Sequence, residues 1–190
     1  TGEHSFAVDQ GESRIRVTDR ARLDVAGDME LGGDYYTTVS QSTLQMTIDG
    51  AGTAHAGGNG LLGRAVGSVA TATVDGAGSA WTVDGQLVVG AGGDGTLLAA
   101  NSGRIAAAGI EIARDAGSGG TLVVGGETAA AAAGVVETPP IVFGAGTGEL
   151  VFNHTGTFTL SAALGGTGTV RQRAGVTRLT GDSAGFAGTT

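Results

Sequence analysis

Thr47-Ile-Asp-Gly-Ala-Gly-Thr-Ala54 recurs 26 residues later as Thr73-Val-Asp-Gly-Ala-Gly-Ser-Ala80. Self-similarity at a short fixed period is the mark of an architecture made by stacking one small unit on the next. Two further boxes extend the pattern. Leu23-Asp-Val-Ala-Gly-Asp-Met-Glu-Leu-Gly32 aligns with Trp81-Thr-Val-Asp-Gly-Gln-Leu-Val-Val-Gly90. Gly95-Thr-Leu97 returns as Gly120-Thr-Leu122, Gly148-Glu-Leu150 and Gly168-Thr-Val170, in steps of 25, 28 and 20 residues.

Each unit carries short apolar runs, among them Leu87-Val-Val89, Ile110-Glu-Ile112, Thr121-Leu-Val-Val124, Leu150-Val-Phe152 and Phe158-Thr-Leu160. Alternation at period two shows in Arg14-Ile-Arg-Val-Thr18. None of the runs reaches helical length, and glycines or small polar residues separate them. A unit this small cannot bury its own apolar face, so the units must stack, with strands of successive coils about 4.8 Å apart. Val, Ile, Leu and Ala are expected to point inward. Gly, Asp and Asn are expected at corners, where positive φ is needed. At roughly 22 residues per coil, a solenoid of about eight coils results. A β-propeller needs blades of about 40–50 residues and is excluded by the short repeat.

Composition agrees. The 190 residues include 38 Gly, 2 Pro, no Cys and 8 aromatics (5 Phe, 2 Tyr and 1 Trp). Each glycine destabilises a helix interior by about 1 kcal/mol relative to alanine. A hydrophobic content of 41% argues against disorder. Eighteen acidic residues face ten basic ones, all of them Arg, for a net charge of −8. Such a chain repels phosphate backbones, and no basic stripe compensates, so nucleic-acid binding is not expected. No apolar run approaches the roughly 20 residues of a membrane helix, so no membrane insertion by this segment is expected. Without cysteine there is no disulfide framework and no thiolate chemistry.

The acidic residues concentrate in 1–43, where the repeat is weakest. Residues 44–125 carry the clearest repeats. Ala129 to Ala133 and the following Val135-Val-Glu-Thr-Pro-Pro140 read as a loop excursion over 126–140, with room for one helical turn. Strands are expected to resume at Ile141 and run through 141–190. Starting at Thr1 and stopping at Thr190 inside a repeat, the chain is expected to be a piece of a longer protein.

Val74 to Gly90, followed by Gly95-Thr-Leu97, resembles the repeats of autotransporter passenger domains. So does the Pro-Pro segment leading into Gly144-Ala-Gly-Thr-Gly-Glu-Leu-Val-Phe-Asn-His-Thr155. Leu164-Gly-Gly-Thr-Gly-Thr-Val170, running to Thr190, is similar to the autotransporter-associated strand repeat. The resemblance covers about residues 44 to 190 well and 1 to 43 loosely. It implies an all-β, right-handed parallel β-helix displayed on the surface of a Gram-negative bacterium, or released from it. A C-terminal outer-membrane barrel outside this chain would carry it there. Members act in adhesion, autoaggregation or biofilm formation, through a host or bacterial surface ligand or through self-association. Others carry a protease or esterase in a separate region. The alternatives for this chain are a β-helix scaffold with hydrolase activity, as a serine hydrolase using Ser183 or a glycan-active protein, and an inert spacer stalk for an active cap upstream of Thr1.

Several motifs match chemistry by pattern. Gly90-Ala-Gly-Gly-Asp-Gly95 fits G-x-G-x-x-G after a strand, but a dinucleotide site needs a helix next, and Thr96 to Gly103 offers at most two turns. Gly181-Asp-Ser-Ala-Gly185 fits a serine-nucleophile pattern. Its Ser183 needs a histidine, and of His4, His55 and His154 only His154 falls within a coil or two. Gly57-Gly-Asn-Gly-Leu-Leu62 begins like a calcium nonapeptide, with Leu62 where the liganding Asp belongs. Asp24, Asp28, Glu30 and Asp34 have spacing that suits Ca²⁺, though a solvated acidic face explains them as well. Asn153-His-Thr155 is a glycosylation sequon inside the repeat. For a glycan-active reading, Asp49 and Asp75 are the acids at equivalent repeat positions. Trp81 and the Tyr35–Tyr36 pair are the rings that could stack on sugar. Each of these has a reading as turn chemistry, so no catalytic, cofactor-binding or metal-ligating residue is assigned. The expected role is that of a non-enzymatic, adhesive rod without cofactor.

Overall fold

In Gln41 to Ile48, Ser42, Leu44, Met46 and Ile48 are buried while the residues between them face outward, as period two demands of a half-buried strand. The same phase holds Ala70, Ala72 and Val74 inside over Val69 to Asp75. The computed structural model describes residues 10–33 and 41–190; Asp34, Tyr35, Tyr36 and His4 lie outside them. It is all-β, with no helix among the described residues.

Among the described residues eighteen strands form two main sheets. The first contains β1 (Gln10–Val17), β4 (Gln41–Ile48), β7 (Val69–Asp75), β9 (Asp94–Ala100), β11 (Gly119–Gly125), β15 (Thr147–Leu160) and β17 (Thr169–Leu179), each hydrogen-bonded to the next. β12 (Ala131–Ala132) also pairs with β15. The second contains β2 (Arg22–Val25), β3 (Met29–Leu31), β5 (Thr53–Ala56), β6 (Gly60–Leu62), β8 (Ala80–Val89) and β10 (Arg104–Ile112). It continues through β13 (Val135–Glu137), β14 (Pro140–Phe143), β16 (Ala163–Gly166) and β18 (Gly185–Phe186). The chain alternates between the sheets, and every strand pair is parallel, an arrangement compatible with a solenoid.

Gln10 pairs with Gln41, Thr43 with Val69, Val69 with Asp94, Asp94 with Gly119, Gly119 with Thr147 and Glu149 with Thr169, steps of 31, 26, 25, 25, 28 and 20 residues. The repeated boxes are therefore columns of the sheets. Leu97, Leu122, Leu150 and Val170 stack directly on one another, and all four are buried. Leu23 and Trp81 occupy one column of the second sheet, two levels apart, with Ala54 between them.

The two faces turned toward each other form one apolar core from Val17 to Val170. Bulk in one column is matched by small residues in the next. Trp81, fully buried, lies between Ala54 and Ile105, and Gly60 gives its ring room. A Cβ at Gly60 would come within 2.9 Å of Leu87 Cδ1 and 3.2 Å of Trp81 Cζ2.

Segment 126–140 follows β11. It contains β12 and β13 and no helical turn, and Ala133 bridges Ala100 in antiparallel sense. Strand pairing resumes at Pro140 rather than Ile141, with Pro140 opposite Ala163. The missing N–H is harmless because Pro140 is the first residue of its strand, and Pro139 O still accepts from Ala163 N.

Candidate functional site

On the outward face of the first sheet, the residues between the buried columns also stack. Gln45, Thr71, Thr96, Thr121, Glu149 and Thr169 form one such row, each on the next level. β-Branched threonine suits an exposed strand position, and its hydroxyl stays available on the surface. Beside this row a groove of about 420 Å³ crosses four levels, from Asp94 past Thr96, Thr121 and Thr147 to Glu149 and Arg171. Arg171 Nε lies 2.7 Å from Glu149 Oε1, close enough for a charge contact though not aligned as a hydrogen bond. Two residues further along the strands, Leu98, Val123 and Val151 occupy outward positions yet are buried, and with Ala100 they form a second apolar cluster. The segment at 132–134 runs beside the end of β9 there, with Asn101 N donating to Ala132 O and Gly134 N to Ala99 O.

The second sheet carries a cluster of charge. His55 stands in register with Asp24, and its Nδ1 is 2.8 Å from Asp24 Oδ1, while Nε2 is 3.2 Å from Asp84 Oδ1. The hydrogen bond to Asp24, and then that to Asp84, raises the His55 pKa. Asp24 is held below the usual carboxylate range by its bond to Arg22 and then by His55. The carboxylates approach opposite edges of the ring, so they cannot converge on one ion.

Asp28, Glu30, Asp49 and Asp75 are engaged by neighbours on adjacent levels. Asp28 Oδ1 accepts from Asn59 N at 2.7 Å, and Arg64 Nε lies 2.7 Å from Glu30 Oε2. With Asp24 tied to Arg22 and His55, three of the four acids considered for Ca²⁺ are committed elsewhere; Asp34 lies outside the described residues. No group of three or more metal-ligating side chains forms among the described residues. Asp49 accepts from Arg16 at 2.6 Å, which lowers its pKa, and Asp75 accepts from Asn101 Nδ2 at 2.7 Å. A carboxyl with lowered pKa is a poor proton donor. Trp81, the ring that a glycan-active reading would use for sugar stacking, is fully buried in the core.

The remaining motifs resolve as turns and core. Gly90 to Gly93 joins β8 to β9, so a strand follows where a dinucleotide site needs a helix N-terminus. Gly90 has φ +81°, and a Cβ there would meet Gly119 O at 2.0 Å. Leu62 is fully buried. Ser183 Oγ accepts from Leu164 N at 3.2 Å and reaches Gly181 O at 3.4 Å. His154 lies on the other sheet, buried beside Phe152 and Phe158, with Nε2 2.9 Å from Thr177 Oγ1. The pair is not brought together. Asn153 is buried and donates to Gly126 O at 2.6 Å, which removes the sequon's amide from solvent.

The middle positions of the Gly-Thr-Leu boxes, Thr96, Thr121, Glu149 and Thr169, line the groove; the boxes read as a repeat and not as a site. Asp94 and Arg171 carried no signal, because their place in the groove depends on register. Comparison of the chain with protein-family models, with curated proteins and with solved structures finds no match.

Proposed function

We propose that the chain is a right-handed parallel β-helix of about eight coils, a segment of an autotransporter passenger displayed on a Gram-negative cell surface. Its role is adhesion, autoaggregation or biofilm formation. The observation that carries this reading is the row Thr71, Thr96, Thr121, Glu149 and Thr169, which offers polar side chains at every level along one outward face. A repeating row makes many weak contacts at once, and simultaneous contacts multiply affinity without any single strong site. The resemblance of residues 44 to 190 to passenger repeats supports the location.

The test is a settling assay on Gram-negative cells that display this segment fused to an autotransporter barrel, compared with cells displaying the barrel alone. Faster settling is expected. Equal settling removes self-association from the proposal.

A further inference from the structure

We infer that the groove on the first sheet binds an extended, uncharged β-1,4-linked oligosaccharide, one sugar unit to each strand level. The groove passes over β9, β11, β15 and β17. Levels in a parallel sheet repeat at about 4.8 Å. That spacing is close to the advance of one pyranose along a straight β-1,4 chain, so the sugars keep step with the levels; each ring is turned over relative to the last, and equivalent hydroxyls return at every second level.

The polar groups suit such a ligand. Thr96 and Thr121 are in register on adjacent levels, and neither hydroxyl has a hydrogen-bond partner among the described residues. The Asp94 carboxylate makes no hydrogen bond or ion pair among them either. It can accept from a pair of vicinal sugar hydroxyls. At the far end, Glu149 and Arg171 offer an acceptor and a donor side by side. Gly119, between Asp94 and Thr147 in the adjacent row, keeps the trough open at its middle level. A Cβ there would come within 2.4 Å of Asp94 Oδ1.

Charge selects against the alternatives. Asp94, Glu149 and Arg171 leave the groove with one net negative charge on a chain of net charge −8. Polyuronates and other anionic glycans are repelled. A coiled α-1,4 chain does not keep step with the levels. Binding of sugar in the groove does not depend on surface display, so it stands or falls separately from the settling assay.

The experiment titrates purified, ¹⁵N-labelled protein with cellotetraose, following amide shifts, with maltotetraose and tetragalacturonate as comparisons. Saturable shifts centred on Thr96, Thr121 and Glu149 are expected with cellotetraose alone. The double variant T96V/T121V keeps the shape and β-preference of both side chains and removes both hydroxyls. It is expected to bind roughly tenfold more weakly or worse. Absence of saturable cellotetraose binding overturns the inference. So does equal binding of maltotetraose, tighter binding of tetragalacturonate, or undiminished binding by a folded T96V/T121V. Should the variant lose its native Trp81 emission, the shift map of the unaltered chain decides alone. Reduced cell settling in T96V/T121V without sugar binding by the parent assigns the groove to self-association and also overturns the inference.

Discussion

His55 holds Nδ1 2.8 Å from Asp24 Oδ1, with Asp24 one level below it in the same column of the second sheet. Asp84, 3.2 Å away on the opposite edge of the ring, completes a clamp across three levels. Two carboxylates can accept only, so both ring nitrogens must donate, and the arrangement calls for the imidazolium.

The sign of the pH dependence follows. The folded-state pKa of His55 lies above its unfolded value of about 6.5, so its stabilisation is fully present below that pH and is lost as pH rises through the folded pKa. For Asp24 the folded-state pKa lies below the unfolded value of about 3.9, so its stabilisation is present above that pH and is lost on acidification. The clamp is therefore strongest between those limits. Urea midpoints read from Trp81 emission are expected to be higher at pH 5.5 than at pH 8.5. His55→Gln is expected to flatten the difference, and a slope unchanged in that variant disproves the assignment.

Asn59 links three levels in a different way. Its backbone N–H donates to Asp28 Oδ1, while its own Oδ1 accepts from Gln86 N at 2.9 Å. Asn59→Ala leaves Gln86 N without this partner and is expected to lower stability by about 1 kcal/mol. Asn59→Asp keeps the acceptor but sets a second carboxylate beside Asp28. Its loss is expected to shrink as salt screens the two carboxylates from each other. Urea melts at low and high salt check both.

The repeat boxes were legible because a column of a parallel sheet repeats the same environment at every level, and selection for a buried residue at Leu97 applies equally at Leu122 and Leu150. The corner glycines were legible for a similar reason. What the sequence did not disclose are pairings that depend on register across levels. His55 and Asp84 are 29 residues apart and Glu149 and Arg171 are 22 apart, distances that only the lengths of the intervening turns bring into contact. Trp81 shows the opposite failure. An isolated aromatic suits either a sugar platform or a core, and only the small neighbours Ala54 and Gly60, a level away, decide that it packs inside.

Inward and outward positions of one strand are expected to respond oppositely to substitution. Leu122→Ala, in the stacked apolar column, is expected to cost about 2–5 kcal/mol. Gly60→Ala, which drives a methyl against Leu87 and Trp81, is expected to cost about 1–3 kcal/mol through overpacking. Thr121→Val, one residue from Leu122, is expected to stay within about 0.5 kcal/mol of the parent. Equilibrium denaturation of the three variants, followed at Trp81, measures the contrast.

Ser183 fastens the start of β16 through Leu164 N, with its hydroxyl directed at backbone groups and His154 on the other sheet. Among the described residues no histidine stands beside it to take its proton, as activation of a serine requires. A fluorophosphonate probe is expected to leave Ser183 unlabelled under conditions that label a serine hydrolase. Ser183→Ala is expected to lower stability by about 0.5–1.5 kcal/mol. Stoichiometric labelling lost in Ser183→Ala would contradict this assignment.

Salt separates the contacts proposed for self-association from simple charge attraction. At net charge −8, two copies laid side by side repel one another. The repulsion extends about 30 Å at 0.01 M salt and about 8 Å at 0.15 M. Hydrogen bonds between threonine rows act only at contact and are little affected over that range. Cells displaying the segment are therefore expected to settle faster as NaCl rises from 10 to roughly 150 mM, because screening removes the barrier and leaves the contacts. Arg171→Glu adds negative charge beside the threonine row and is expected to move the onset of settling to higher salt. Settling that slows with salt would instead require attraction between opposite charges on facing rods. The contact surface would then lie at the arginines of β1 and β17 and the acids they meet, not at the threonine row.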